Sequence, residues 1–429
     1  MKRPSLHGTF LTLFAGIMLP ASAPAIVINR EIQPDQTDNW VVRDETKPDG
    51  TNEIAPATPA DRANLFRAIE LAVKALPDGR TQKMLIKVNA GTMSPITIPF
   101  KGSAYLKGNY YDVSNFILDF QGATIYLEKG GGILNAHKAY NGEIRNLNVI
   151  GNTALIDPAN PKLGRITQGM AFYPHESDGF TIDTVTMTGG DIGIRPEGLS
   201  DPAGTAPELT GSRYTKNITI RGNCRFTDMT SHGIETMYVN NISITGTIST
   251  DDTGGCGILF NHTKNAYINA LNARYASYAP GATHNYSGFR LANGNASNGR
   301  IYMKYLTTYR CGRGFTATTN AELMKDVTLH SVNIRESANW GIGLDTAAKN
   351  VTIDSGSSIA NMWSGLTVAA DTKDCSFEHL KLEKNGSYGI KVFNGATGIN
   401  LYRVLASGNV LNNYIPPTGV TVNDCALAD

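Results

Sequence analysis

A glycine followed by an apolar residue recurs along most of the chain, at Gly169, Gly193, Gly233, Gly257, Gly288, Gly314, Gly341, Gly365 and Gly389. The spacings are 24, 40, 24, 31, 26, 27, 24 and 24. A second alternating series opens at Asn217 (NITI), Asn241 (NISI), Asn265 (NAYI), Asp326 (DVTL), Asn350 (NVTI), Asp374 (DCSF) and Gly398 (GINL). Its steps are 24, 24, 61, 24, 24 and 24, the 61 holding one further coil near Gly299. Two interleaved segments of period-two alternation at a fixed pitch make each repeat one coil with at least two strands. Short strands at that pitch, separated by turn residues and without helical periodicity, predict an all-β fold, a single-stranded parallel β-helix. Parallel crossovers are right-handed, and the same hand is expected here. The recurring Asn predicts a side-chain ladder at one turn. A propeller would need antiparallel hairpins, and the leucine-rich repeat signature is missing.

The flanks fit a solenoid that must protect its ends. Residues 63–76 (ANLFRAIELAVKAL) have amphipathic spacing, with a start near Asp61 and a stop at Pro77, and predict an N-terminal capping helix. The expected organisation is a cap with first coils over 26–140, regular coils over 141–415 and a short closing tail over 416–429. Residues 1–25 carry Lys2 and Arg3, an apolar run from Phe10 to Leu19 and a small-x-small site at Ala23-Pro24-Ala25. That run is too short to span a bilayer and predicts a cleaved secretory signal, hence a secreted or periplasmic chain.

Two irregular spacings locate candidate loops. The step of 40 holds 16 extra residues within 196–215, after a Gly-series strand, and the step of 31 holds 7 extra within 272–286, before one. Insertions in a solenoid become loops on one face, so these two would wall a groove. Counted from each Gly, positions +2 and +4 should face away from the core. The +2 set is Ala171, Arg195, Glu235, Leu259, Arg290, Thr316, Gly343, Thr367 and Lys391. The +4 set begins Tyr173, Glu197, Met237, Asn261 and Ala292. Ionisable groups thus gather on the early coils, with His175, His232 and His262 at strand ends. Tyr214, Tyr275, Tyr278 and Tyr286 supply stacking surfaces in the loops. Arg195 and Glu235 read equally as a cross-strand surface pair, and each lone His as a turn residue.

Composition narrows the partner. A net charge of +1 over 429 residues gives no bulk attraction to nucleic acid, and no second segment is apolar enough to cross a membrane. The expected partner is a polysaccharide lying across the strands; the oligomeric state is left open. Five cysteines, an odd number, leave at least one thiol unpaired, and no CxxC spacing supports a metal site. Cys375 falls at an inward position.

Asp49-Gly50-Thr51-Asn52, the helix that follows and Leu118-Asp119-Phe120-Gln121-Gly122-Ala123-Thr124 resemble the N-terminal region of pectin-lyase-like β-helix proteins. With the coils, the resemblance covers roughly residues 45–415. Residues 169–176, Gly-Met-Ala-Phe-Tyr-Pro-His-Glu, resemble the catalytic strand of mannuronan C5-epimerases, Gly-Tyr-Gly-Phe-Asp-Pro-His-Glu, with Met170 and Tyr173 departing from it. This resemblance implies a lyase or epimerase acting on a uronic-acid polymer. A base (Tyr173 or His175) takes the proton beside the carboxylate while Arg195 or Arg290 neutralises it. Ser177-Asp178-Gly179, Gly190-Asp191, Ser231-His232-Gly233 and Gly288-Phe289-Arg290-Leu291 follow the order of the polygalacturonase motifs. That resemblance implies the alternative of hydrolysis, with Asp191 and Asp178 or Glu235 as the carboxyl pair. A non-catalytic carbohydrate-binding solenoid is the third reading. The candidate catalytic residues are therefore Tyr173, His175, Arg195, Asp191, His232 and Glu235, and the candidate substrate-binding residues are Arg290, Asn261, His262, Tyr278 and Tyr286. No cofactor is predicted and no metal ligands are assigned; the Arg-rich calcium signature of pectate lyases is not evident, and Ca²⁺ is left open.

Overall fold

The computed structural model describes residues 28–35, 39–48, 51–54, 58–91, 93, 95–155, 169–199, 214–278, 285–292, 300–318, 324–345, 347–416 and 418–427. The expected signal segment, 1–25, lies outside them. The chain winds as a right-handed parallel β-helix with three sheets per coil. Sheet A stacks Gly102–Lys107, Gly131–His137, Met170–His175, Ile192–Ile194 and the start of His232–Thr253. It continues through the start of Ile258–Arg274, Ser287–Ala292, Arg313–Thr318, Ile342–Leu344, Leu366–Val368 and Ile390–Val392. Sheet B (Thr181–Asp183, Ile218–Ile220 and Ile242–Ile244 among its rungs) and sheet C (Thr186–Thr188, Arg225–Thr227 and Ser249–Asp251) complete each turn. The strand His232–Thr253 bends through all three, pairing with Ile258–Arg274 along Ile234–Met237, Val239–Ile244 and Thr247–Asp251.

The sequence pattern identifies A and B, and C escapes it for a local reason. The turn into B uses a left-handed residue that is nearly always Asn, Asp or Gly: Asn217 (φ 52), Asn241 (φ 64), Asn265 (φ 53), Asp326 (φ 56), Asn350 (φ 51), Asp374 (φ 54) and Gly398 (φ 65). Only these residue types enter that region cheaply. The turn into C is made by Gln121, Asn146, Thr184 and Gly222, with no common residue to repeat. The expected ladder forms at the first turn, where Asn241 Nδ2 donates to Asn217 Oδ1 (2.7 Å) and Asn217 Nδ2 to Asp178 Oδ1 (2.6 Å). A second, unforeseen stack joins buried Asn361 to buried Asn385 and Asn385 to half-buried Asn409, each at 2.9 Å.

The core is a set of stacked columns. On sheet A one column runs Leu134, Phe172, Ile194, Ile234, Ile258, Phe289, Phe315, Ile342, Leu366 and Ile390, all buried. Each such side chain contributes about 2 kcal/mol of apolar burial. The Gly residues before them stand where neighbouring side chains turn inward: a Cβ on Gly233 would lie 2.5 Å from Thr250 Cγ2 and 2.7 Å from the Gly257 carbonyl oxygen.

Register corrects the count at one place. Phe172 lies opposite Ile194, twenty-two residues on, so Ala171 rather than Gly169 is the equivalent of Gly193. Ala171 is therefore buried core and not outward, and Tyr173 moves into the column of Arg195 and Glu235.

The capping helix is two helices. α1 (Pro59–Arg62) is capped by Thr58, and α2 (Leu65–Lys74) by Asn64, whose side chain accepts from the backbone N–H of Phe66 and Arg67. Asn64 breaks the expected continuous helix because its side chain satisfies a new N-terminus. Leu65, Phe66, Ile69, Ala72 and Val73 of α2 are buried at the N-terminal end of the coils. The closing tail is a further partial coil: Val420–Asn423 pairs with Ile399–Tyr402, and Ala426–Leu427 with Leu405–Ser407. All five cysteines are free thiols, Cys375 among the buried four.

Candidate functional site

Two columns face outward from sheet A. The first column is Tyr105, Asn135, Tyr173, Arg195, Glu235, Leu259, Arg290, Thr316, Gly343, Thr367 and Lys391. The second is Lys107, His137, His175, Glu197, Met237, Asn261 and Ala292. Parallel strands are spaced by roughly 4.8 Å, so residues in a column are immediate neighbours. Residues 272–274 remain in strand, which narrows the second insertion to its later part. Of the two insertions, 200–213 and 279–284 lie outside the described residues.

A continuous polar network follows from that register. The Tyr173 hydroxyl donates to the Glu197 carboxylate. Arg195 Nε lies 2.8 Å from Glu197 Oε2, and its Nη1 lies 3.5 Å from Glu235 Oε2. Arg195 Nη2 also meets Met237 Sδ at 3.0 Å. Asn261 Nδ2 donates to Glu235 Oε1 at 3.4 Å. The network spans four rungs; Glu235 and Asn261 are buried, each 8% exposed, while Tyr173, Arg195 and Glu197 are half-buried.

Tyr173 and His175 are both on one strand and both outward, two residues apart. Their rings stack at 5.4 Å with planes 27° apart. Burial, then the Glu197 carboxylate, pushes the Tyr173 hydroxyl well above the usual tyrosine range, so it stays a protonated phenol at neutral pH. Burial outweighs the attraction of Glu176 and holds His175 below the usual imidazole value, favouring the neutral ring. His137 stacks on the other side, 5.1 Å from His175. Glu176, at a strained left-handed φ of 48, bonds His137 Nε2 at 3.0 Å through Oε1. The ligand atoms of His137, His175 and Glu176 all lie within 4.8 Å of one another, a set able to hold a metal ion.

The other expected residues spread along the edges of this face. His232 is buried, and its Nδ1 accepts the Cys256 backbone N–H at 2.7 Å, which places any ring proton of the neutral form on Nε2. Its ring also meets Tyr286 edge-on at 5.7 Å. Tyr286 lies 5.6 Å from the Arg290 guanidinium. Asp191 is buried at the strand entrance, its carboxylate accepting from Thr230 Oγ1 at 3.0 Å. Asp178 belongs to the turn ladder instead. His262 stacks on Tyr238 at 4.6 Å in the turn beyond the sheet, and Tyr278 packs edge-on against Tyr275.

Glu197, His137 and Glu176 were not among the expected site residues. Glu197 was visible as an outward position, and Glu176 as the last residue of the catalytic-strand resemblance. His137 had no repeat signal, because it precedes the regular series by one coil. Further along sheet A, a cleft of about 390 Å³ is lined by Trp340, Leu344, Asp345, Thr367, Asp371 and Phe393 among others.

No family model and no curated protein matches this sequence. Among solved structures the chain is similar to the tailspike protein of E. coli bacteriophage HK620 in complex with a pentasaccharide. That match has 12% identity and a TM-score of 0.57, covering 84% of this chain and 65% of the tailspike, just under two thirds of its length. It is also similar to a periplasmic alginate epimerase, AlgG (14% identity, TM-score 0.42, 83% of this chain and 82% of that one). The A-module of the Azotobacter vinelandii mannuronan C-5 epimerase AlgE4 gives 14% identity and a TM-score of 0.46, over 79% and 91% of the two chains. At these identities the likeness concerns the fold. Among the described residues no helix is long and apolar enough to cross a membrane.

Proposed function

We propose that this chain is a secreted or periplasmic polysaccharide lyase that eliminates across a uronic-acid unit of a polymer lying on sheet A. The observation that carries the reading is the stacked Tyr173–His175 pair beside Arg195. Neutral His175 takes the proton at C5, beside the carboxylate. The C4–O4 bond breaks as the C4=C5 double bond forms, and the departing O4 takes the Tyr173 hydroxyl proton. Return of the proton from His175 to Tyr173 restores both groups. Arg195 faces the carboxylate, where charge develops in the transition state.

Elimination is favoured over epimerisation by geometry. Inverting C5 needs proton removal and delivery on opposite faces of the sugar, whereas Tyr173 and His175 stand side by side on one sheet. Arg290 carries no ion pair among the described residues; four rungs from Tyr173, roughly 19 Å away, it suits the carboxylate of a sugar further along. The cleft at Thr367 lies on the same face, so a polymer rather than a short sugar matches the surface.

One observation favours a second reading. Glu197 and Glu235 both contact Arg195, and two carboxyls near the scissile bond are what glycoside hydrolysis requires. Incubation of the purified protein with uronate polymers, following absorbance of unsaturated ends and reducing sugar together, separates the readings. A rise in both is the expected result. Reducing ends alone would mean hydrolysis, a change only in the polymer's proton NMR would mean epimerisation, and retention without cleavage would mean a binding solenoid.

A further inference from the structure

His137, His175 and Glu176 form a cluster that the elimination chemistry uses only in part. We propose that these three side chains bind a single Zn²⁺ ion, through His137 Nε2, His175 Nδ1 and Glu176 Oε1, with a fourth position open to solvent.

The geometry matches the ion. Zinc bonds of about 2.0–2.2 Å in tetrahedral arrangement place neighbouring ligand atoms about 3.3–3.5 Å apart. Here Glu176 Oε1 lies 3.0 Å from His137 Nε2 and 3.7 Å from His175 Nδ1, on either side of that value. The remaining pair is within 4.8 Å, and binding requires the two stacked imidazoles to turn so that both point at the ion. The scaffold holds the ligands in place: His137 and His175 are register partners on adjacent strands, and Glu176 follows directly at the strand end. The side chains are 19%, 18% and 8% exposed, open enough for an aqueous ion to enter and dry enough to hold it. Two imidazoles and one carboxylate select a borderline metal over Ca²⁺ or Mg²⁺, which prefer oxygen. Around His175 the Glu176 and Glu197 carboxylates oppose Lys138, Glu197 being shared with Arg195.

The site itself is independent of the proposed reaction, but its consequence rests on that reading. An imidazole that gives one nitrogen to zinc and keeps a proton on the other has no lone pair left. His175 would then be unable to accept the C5 proton, and zinc would act as a reversible inhibitor.

Calorimetric titration of the untagged chain with Zn²⁺ tests the site, with Co²⁺ absorption as a second readout. One ion per chain is expected, with affinity at least about 100-fold weaker in His137→Ala and in Glu176→Gln, and no response to Ca²⁺ or Mg²⁺. Far-UV circular dichroism confirms that both variants are folded, and His137→Gln serves if His137→Ala is not. Absence of binding, or binding unchanged in folded variants, overturns the site. If zinc binds as described yet leaves polymer cleavage untouched, the site stands and the assignment of His175 as base fails.

Discussion

The Tyr173 ring stacks on the His175 ring at 5.4 Å, and the Tyr173 hydroxyl is bound by Glu197 on the next rung. This pairs a neutral base with a protonated phenol on the same strand. His175→Ala and Tyr173→Phe should therefore each lower kcat by about 10²–10⁴ while leaving the fold intact. Tyr173→Phe is the sharper test, since it keeps the aromatic ring and removes only the hydroxyl. Unchanged polymer cleavage in Tyr173→Phe would remove the phenol from the mechanism.

Arg195 bridges Glu197 and Glu235, Nε at 2.8 Å from one and Nη1 at 3.5 Å from the other. Arg195→Met leaves two carboxylates facing each other and should cost about 1–3 kcal/mol in chemical denaturation. Adding Glu235→Gln should recover part of the loss. Activity should stay low in the double variant, because the substrate carboxylate still lacks its partner. Equal stability of Arg195→Met and wild type would show that solvent already screens this group.

The two asparagine stacks should behave differently. Asn385 accepts from the backbone N–H of Asn361 (3.1 Å) and donates to Asn409 Oδ1 (2.9 Å), with Asn361 and Asn385 buried and Asn409 half-buried. Asn385→Ala strands buried polar groups and should cost about 2–4 kcal/mol. The exposed Asn241, at φ 64, should lose about 1–2 kcal/mol on change to Ala. Asn241→Gly, which accepts that φ, should be far milder. Denaturant midpoints for the three variants decide this, and an order other than Asn385→Ala, Asn241→Ala, Asn241→Gly would refute the explanation.

Gly233→Ala tests why the glycine repeat exists. Its new Cβ meets Thr250 Cγ2 and the Gly257 carbonyl, and backbone cannot yield as a side chain tip can. The expected loss is about 2 kcal/mol or more, with a lower melting temperature. A variant as stable as wild type would mean that the coil corner is loosely packed.

The repeat of about 24 residues by itself determines the solenoid. Inward apolar columns, glycine at crowded corners and Asn, Asp or Gly at left-handed turns are local demands, met again in every coil. Such demands leave a letter-by-letter trace, as Gly233 and Asn241 do. The turn into sheet C makes no such demand of one residue type, so that sheet stays hidden.

The site was decided by register between coils. Tyr173 joins Arg195 because its strand is twenty-two residues from the next, so Ala171 fills the corner that Gly fills elsewhere. His137 stands beneath His175 although no repeat marks it. Coils align by hydrogen bonding and by stacking of Leu134, Phe172 and Ile194, and loops of any length absorb the difference in count. Residue spacing therefore establishes that an outward face exists, while only stacking in three dimensions selects which side chains meet upon it.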